Sequence, residues 1–352
     1  MTTKNISALV RQNVLDLKPY SSARDEYTSV AEVYIDANEN PYNWEYNRYP
    51  DPYQKQLKES ISSWKGVPTD HIFIGNGSDE VIDLLIRAFC EPGVDQVVAL
   101  NPSYGMYTVS AGINNVGIRY FPLDADFNFD PYSLLNFLTD RDKILFLCSP
   151  NNPSGNCIPS SDIIQLCSIF KGLVVVDEAY IDFANSESLI SQIKDHSNLV
   201  IIQTLSKAMG AAGIRLGMGF ADPYIVGILN KIKPPYNVNS ATQKIALDRV
   251  NNRKESILQI DEIKNEKKLF LETLTSYDFV LKIFSSEANF VLVRVKDADE
   301  LYHFLSSNGI VVRNRNKQFR CEGCLRFTIG TPAEMVILND RLLQYDTQQN
   351  KI

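Results

Sequence analysis

The side chain with the greatest chemical potential in this sequence is a lysine. Lys207 lies in TLSKAMGAAGIRLG, residues 204–217, directly after the apolar run NLVIIQ. Such a run reads as a buried strand, so Lys207 leaves the core at a strand end, with Ser206 before it and Arg215 eight positions on. An amine in a partly desolvated crevice near other cations is disfavoured in its charged form and becomes available as a nucleophile and base. Asp177 is the second such group. It closes the run LVVVD, and a carboxylate buried at the end of so apolar a strand requires a cation or strong donors. Tyr180, three residues on, can reach a neighbouring oxygen. The third is GNGSDE, which opens a helix after a strand: Ser78 is the expected cap, and the amides near Ser78 and Asp79 suit a phosphate. This stretch fails G-x-G-x-x-G at its third glycine, which is Glu80 here, and taken alone it is equally an ordinary capped helix.

From about residue 70 a pattern repeats that would position these groups. HIFIGN, QVVALN, KILFLC, GLVVVD and NLVIIQ are apolar runs without polar alternation, each followed by a turn and a helical stretch. This predicts a mainly parallel sheet covered on both faces, with ligands bound beyond the carboxyl ends of its strands. Those ends carry Ser78-Asp79, Tyr104, Asn151-Asn152, Asp177 and Ser206-Lys207. One ligand accounts for all five. Pyridoxal phosphate would take Lys207 as its Schiff-base partner, and Arg215, Ser206 and the amides near Ser78 would hold its phosphate. Asp177 would keep its ring nitrogen protonated, Asn152 would donate to its ring oxygen, and Tyr104 would cover its ring face.

After Lys231 the pattern weakens. A charged, helix-like stretch over about 240–276 leads into FVLKIF, ANFVLVRV, GIVVRNR and CLRFTIG, with a helix at 297–308, which together suggest a smaller α/β layer. The expected organisation of the 352 residues is an N-terminal arm (1–30), a large α/β domain (31–245) and a small C-terminal domain (246–352). A net charge of -7 without a long basic run disfavours a nucleic-acid partner. No stretch reaches the ~18 apolar residues of a membrane helix, and the short run Ile6 to Val10 falls below a secretory core. The expectation is a cytoplasmic protein with reduced thiols. Cys321 and Cys324 form a lone C-x-x-C without nearby histidine, read as a turn before a strand, and no metal site is expected.

IDANENPY, NRYPDP, LIRAFCEPG, PSYGMY, SPNNPSG, DEAYIDF, TLSKAMGAAGIRLG, ANFVLVR and CLRFTIGT resemble, in order and spacing, segments of fold-type I pyridoxal-phosphate-dependent aminotransferases of class I/II. Within these they are most similar to the histidinol-phosphate aminotransferase family. The resemblance covers about 17–331, with Ser154 where threonine is usual and Met209 where an aromatic residue is common. It implies a mainly parallel seven-stranded sheet in the large domain and Lys207 as both cofactor partner and proton shuttle. It also implies a homodimer in which Tyr49 reaches the neighbouring subunit's phosphate site. Arg326 would bind the acidic end of the substrate, with Arg313 and Tyr20 as further phosphate contacts. The implied reaction is L-histidinol phosphate plus 2-oxoglutarate giving imidazole acetol phosphate and L-glutamate, in histidine biosynthesis. An aromatic-amino-acid aminotransferase or a threonine-phosphate decarboxylase on the same scaffold is the alternative. A cofactor-sensing regulator would be expected to carry a basic DNA-binding segment, and none is evident.

Overall fold

The computed structural model describes residues 5–20 and 32–349. The expected seven-stranded sheet is present. Its strands are β1 (Ile72–Asn76), β2 (Gln96–Asn101), β3 (Gly117–Pro122), β4 (Asp142–Cys148), β5 (Leu173–Asp177), β6 (Leu199–Thr204) and β7 (Leu216–Phe220). They lie in the order β1-β7-β6-β5-β4-β2-β3, and β7 alone runs antiparallel to its neighbours. The carboxyl ends of β1, β2, β4, β5 and β6 therefore share one edge. The apolar runs follow from burial on both faces. Val174 and Val176 of β5 point into one core with Leu145, Leu147 and Ile201, whereas Leu173 and Val175 point into another with Ile144, Phe146 and Ile202. Each such side chain contributes about 1.5–3 kcal/mol by leaving water, so polar residues are tolerated only where the strands emerge.

The helix Ser78–Phe89 shows why the β1 end is so close-packed. Val81, Ile82, Leu85, Ile86 and Phe89 are buried at helical spacing, fixing it on the sheet. Its N-cap is Gly77 rather than the expected Ser78, which is the first helical residue. Two features select glycine there: the backbone has φ +79, and a Cβ would stand 2.7 Å from Arg215 Nη2. No side chain caps this terminus. Across from it a Cβ on Gly217 would meet Ser78 N at 2.2 Å and Gly77 C at 2.3 Å. The glycines of LGMGF thus let β7 pass against the helix terminus.

The helical region at 240–276 divides into Ser240–Asn251 and Lys254–Leu274. The first crosses 245/246 and contributes Ala246 and Val250 to the large core, so that core extends a few residues past the expected division. A second sheet follows, with strands β8 (Val280–Ile283), β9 (Phe290–Val295), β10 (Arg313–Asn314) and β11 (Cys324–Thr328) in the order β10-β11-β9-β8. Of GIVVRNR the Arg313-Asn314 pair forms β10, and Arg315 N–H donates to Cys324 O at 2.9 Å just beyond it. Strand alternation gives this sheet two different faces. Val291, Val293, Leu325 and Phe327 pack into the small unit's own core, whereas Leu292 and Cys324 join the large core. Arg326 lies opposite Leu292 in register and alternates with Leu325 and Phe327, and so faces the large sheet. The turn expected at C-x-x-C is present: Cys324 N–H donates to Cys321 O at 2.9 Å, and β11 begins there.

The described part of the expected arm lies on the body. Ile6, Val10 and Val14 are buried in the large core, and the Arg11 guanidinium donates to Arg87 O at 2.9 Å. The rest of the arm, 1–4 and 21–30, lies outside the described residues.

Candidate active site

At the shared edge, Ser78, Asp79, Tyr104, Asn152, Asp177, Tyr180, Ser206, Lys207 and Arg215 line one pocket, joined by Cys148, Ala179 and Thr204. Five strand ends, from Asn76 of β1 to Thr204 of β6, meet there, because a parallel sheet sends each chain out on the same side. Of the pair Asn151-Asn152 only Asn152 faces in. Asn151 is fully engaged in holding the turn, donating to Pro102 O at 3.0 Å and Ser154 Oγ at 2.7 Å.

Asp177 lies at the floor. Its Oδ2 accepts from the Tyr107 hydroxyl at 2.9 Å and its Oδ1 from the Ala179 N–H at 3.1 Å. No described lysine or arginine reaches it at ion-pair distance. Burial pushes its pKa up to about 6, opposed by the Tyr107 and Ala179 hydrogen bonds and by Lys207. It is a buried carboxylate held in place yet lacking a counter-charge.

Lys207 stands in the open cleft, its Nζ 5.6 Å from the centroid of the Tyr180 ring. Desolvation along its stem, then the cations Arg326 and Arg215, draw its pKa below the usual lysine range, while Asp177 opposes them. The neutral amine is therefore more accessible than on an exposed lysine. Arg215 extends over the glycine N-cap and pairs with Asp79 at 3.4 Å. Asp79 also accepts from the Tyr104 hydroxyl at 3.1 Å. With Ser206 and the uncapped first-turn amides, the Arg215 guanidinium forms a cradle in which an anion would find several donors.

Arg326 reaches the cleft from the small sheet. Its Nη1 donates to Asn152 Oδ1 at 2.5 Å and its guanidinium lies 4.9 Å from the Phe290 ring. Burial, foremost, lowers its pKa. The pocket thus combines an amine, an unpaired carboxylate and an anion cradle, with a second cation, Arg326, bonded to its Asn152.

The sequence as a whole carries the same signature. Residues 16–342 match the family model described as aminotransferase class I and II. The chain belongs to the class I and II aminotransferases. It is 52% identical to the histidinol-phosphate aminotransferase of Parabacteroides distasonis, covering 97% of both chains. It superposes on the crystal structure of the histidinol-phosphate aminotransferase from Clostridium acetobutylicum with a TM-score of 0.78 at 27% identity, over 86% of this chain and 91% of that one. A third relative, the Sinorhizobium meliloti histidinol-phosphate aminotransferase in complex with pyridoxal-5'-phosphate, shares the fold. Its TM-score is 0.77 at 22% identity, covering 86% of this chain and 83% of that one.

Four expected site residues of this aminotransferase do not line that pocket in their own chain: Tyr20, Tyr49, Arg313 and Arg326, of which Arg313 and Arg326 together line a neighbouring cavity. Tyr49 is half exposed and stacks on Tyr236, ring centroids 4.4 Å apart. Tyr20 is exposed. Arg313 is exposed as well, on the short strand β10 directly opposite Arg326. The structure adds two groups that sequence reasoning passed over. Tyr107 is buried, stacked on Phe146 and bonded to Asp177; its place in the first turn of the helix Met106–Ile113, just after the β2 end, was the available signal. Arg315 stands two residues after Arg313, and its Nη2 lies 3.4 Å from Asn152 Oδ1. The strand period of two was the signal there.

Proposed function

We propose that this aminotransferase moves the amino group of L-histidinol phosphate to 2-oxoglutarate, giving imidazole acetol phosphate and glutamate, with pyridoxal phosphate as its cofactor. The observation that carries the chemistry is Asp177, a buried carboxylate with two donors and no counter-cation. A protonated ring nitrogen supplies the missing charge. The rest of the pocket fits the same group: Arg215, Ser206 and the amides of Ser78 and Asp79 would hold its phosphate, Asn152 and Tyr180 its ring oxygen, and Tyr104 its ring face. Pyridoxal phosphate supplies an electron sink for the substrate's Cα–H bond.

The protein residues handle protons and position. Lys207 would hold the cofactor covalently, and its amine, once free, would take the proton from the substrate's Cα and return it beyond the transferred nitrogen. Its lowered pKa keeps the neutral amine available for that step. Asp177, its carboxylate held by Tyr107 and Ala179, would stay ionised and hold the proton of the ring nitrogen. Arg326 orients the substrate by its anionic end, as a guanidinium accommodates either carboxylate or phosphate. The names of the relatives support histidinol phosphate as the amine.

The same proposal includes a cytoplasmic homodimer of two-domain subunits, with the small unit beginning after Asn251. All six cysteines are free thiols. Among the described residues no helix is long and apolar enough to cross a membrane. Val33, Ile35, Tyr42, Trp44, Tyr46, Tyr49 and Tyr53 form an exposed apolar run that a partner subunit would cover, delivering Tyr49 to the neighbouring cradle.

The test is glutamate formation from 2-oxoglutarate and L-histidinol phosphate by the purified protein with pyridoxal phosphate. Aromatic amino acids are offered in parallel, and release of carbon dioxide from threonine phosphate is followed separately. Turnover led by L-histidinol phosphate is expected. A clear preference for an aromatic amino acid, or decarboxylation of threonine phosphate, would replace the proposed reaction.

A further inference from the structure

Given the cofactor and the homodimer proposed above, we propose that Asn237 is a positioning residue for two cofactor sites at once. It ties the helix terminus of its own chain's phosphate cradle to the segment that carries Tyr49 towards the neighbouring chain.

Asn237 stands in the loop between the helices Pro223–Ile232 and Ser240–Asn251, within KPPYN, residues 233–237. Both ends of its amide are used. Its Nδ2 donates to Glu80 Oε2 at 2.9 Å and to Ile74 O at 3.0 Å. Its Oδ1 accepts from Lys233 Nζ at 3.1 Å and from Gln54 Nε2 at 3.4 Å. Only this orientation fits, since the reverse would set the amide hydrogens against an ammonium and the oxygen against a carboxylate.

On the donor side lies the cradle. Glu80 is the third residue of the helix Ser78–Phe89, and the oxygen held by Asn237 also accepts from the Asn76 N–H at the end of β1. That carboxylate thereby joins the strand end to the helix start across Gly77. Neither Glu80 nor Asn237 lines the cofactor pocket, so both act on a bound phosphate only by placing the amides near Ser78 and Asp79.

On the acceptor side lies Tyr49. Lys233 Nζ and Gln54 Nε2, besides meeting Asn237, both donate to Pro52 O, at 2.8 and 2.9 Å. Lys233 also donates to Pro235 O at 2.9 Å, which draws the loop onto the same ammonium. Tyr236, the residue before Asn237, stacks on the half-exposed Tyr49 ring. Segment 49–52 is thus held by its ring at one end and by its carbonyl at the other. One short loop sets both the amides of one cradle and the tyrosine offered to another.

The test is pyridoxal phosphate titration of mixed dimers in which one subunit carries Lys207→Ala, so that the absorbance of lysine-bound cofactor reports the other subunit's site alone. Adding Asn237→Ala to the Lys207→Ala subunit should weaken the reporting site roughly 10-fold, the scale of one hydrogen bond, although the chain that forms it is unaltered. Adding it instead to the reporting subunit should weaken the site by a similar factor, through Glu80. Tyr49→Phe in the Lys207→Ala subunit is the control for the exchange of Tyr49. Where that control weakens the reporting site, unchanged affinity in either Asn237→Ala arrangement overturns the inference. Asn237→Asp keeps an acceptor for Lys233 but sets a carboxylate against Glu80. It should therefore weaken the site of its own chain and spare the partner's; equal weakening of both would mark a general loosening and overturn the inference as well. This variant also serves if Asn237→Ala fails to fold. Where the Tyr49→Phe control changes nothing, the exchange of Tyr49 fails on its own, and Asn237 is judged in the homodimer. There Asn237→Ala should still loosen the cofactor through Glu80, and no loss overturns its positioning role.

Discussion

Asp177 is a group whose removal should stabilise the protein and disable it. In the cofactor-free protein its pKa is lifted from 3.8 to about 6, chiefly by burial. Between those values the native state retains a proton that the unfolded chain releases, so stability falls as pH rises through this window and then levels off. Above it the ionised carboxylate costs about 3 kcal/mol. Asp177→Asn removes that cost. One of two accepting contacts must change, because the amide nitrogen cannot accept; about 1 kcal/mol is lost unless the Tyr107 hydroxyl reverses its role. The net gain is about 2 kcal/mol at pH 8, or a few degrees in melting temperature, and it disappears near pH 4. Melting of cofactor-free wild type and variant at both pH values reads this difference directly. The same substitution should cut amino transfer on the order of 100-fold or more, since a neutral side chain no longer secures the protonated ring nitrogen. If the variant melts no higher than wild type at pH 8, or by the same margin at both pH values, Asp177 is not an uncompensated charge. The main support for the cofactor would then fall.

Lys207→Ala should abolish turnover yet change the stability of the cofactor-free protein little, because Lys207 is exposed and makes no ion pair among the described residues; residual activity near wild type would remove Lys207 from the chemistry. Gly217→Ala forces a Cβ to within 2.2 Å of Ser78 N, a clash with backbone that cannot turn aside. It should cost about 1–3 kcal/mol in urea melting and weaken cofactor binding, and a neutral result would contradict the close approach of β7 to the helix terminus. Tyr49→Phe should loosen the cofactor. In a mixed dimer of Tyr49→Phe and Lys207→Ala subunits, a contribution across the interface restores one intact site, so wild-type affinity at that site is expected. Weak binding there would mean that Tyr49 serves its own chain.

The parallel sheet and its five polar ends were legible because burial on both faces leaves runs such as LVVVD and NLVIIQ with nothing polar until they emerge. The directions of individual groups were harder to read. Ser78 has a good capping side chain, but the tight approach of Arg215 gives the cap to Gly77. β7 reads poorly as a strand because its glycines serve clearance rather than propensity. Tyr107 and Arg315 were within quoted motifs, yet their roles depend on Asp177 and Asn152, which lie 70 and 163 residues away. Only the three-dimensional pairing reveals them.

The neighbours Asp177 and Glu178 show how this chain separates structure from chemistry. Both carboxylates are buried, and burial raises the pKa of both. Successive side chains at a strand end point to opposite sides, so their surroundings differ completely. Glu178 turns inward, where its oxygens accept from Ser188 Oγ at 2.5 Å, Leu189 N–H at 2.8 Å and Gln203 Nε2 at 2.8 Å. Those donors complete a closed network that ties the segment after β5 to β6. Asp177 turns to the cleft with only two donors and an open side. A buried carboxylate saturated by its own protein has no affinity left for a ligand, whereas one left short of positive charge beside a cavity retains it. The same distinction separates Arg119, engaged by the Asp142 carboxylate at 2.6 Å, from Arg315 and Arg326, which share a single neutral oxygen. In this fold, unmet electrostatic demand at the strand ends marks where substrate and cofactor must supply the missing partners.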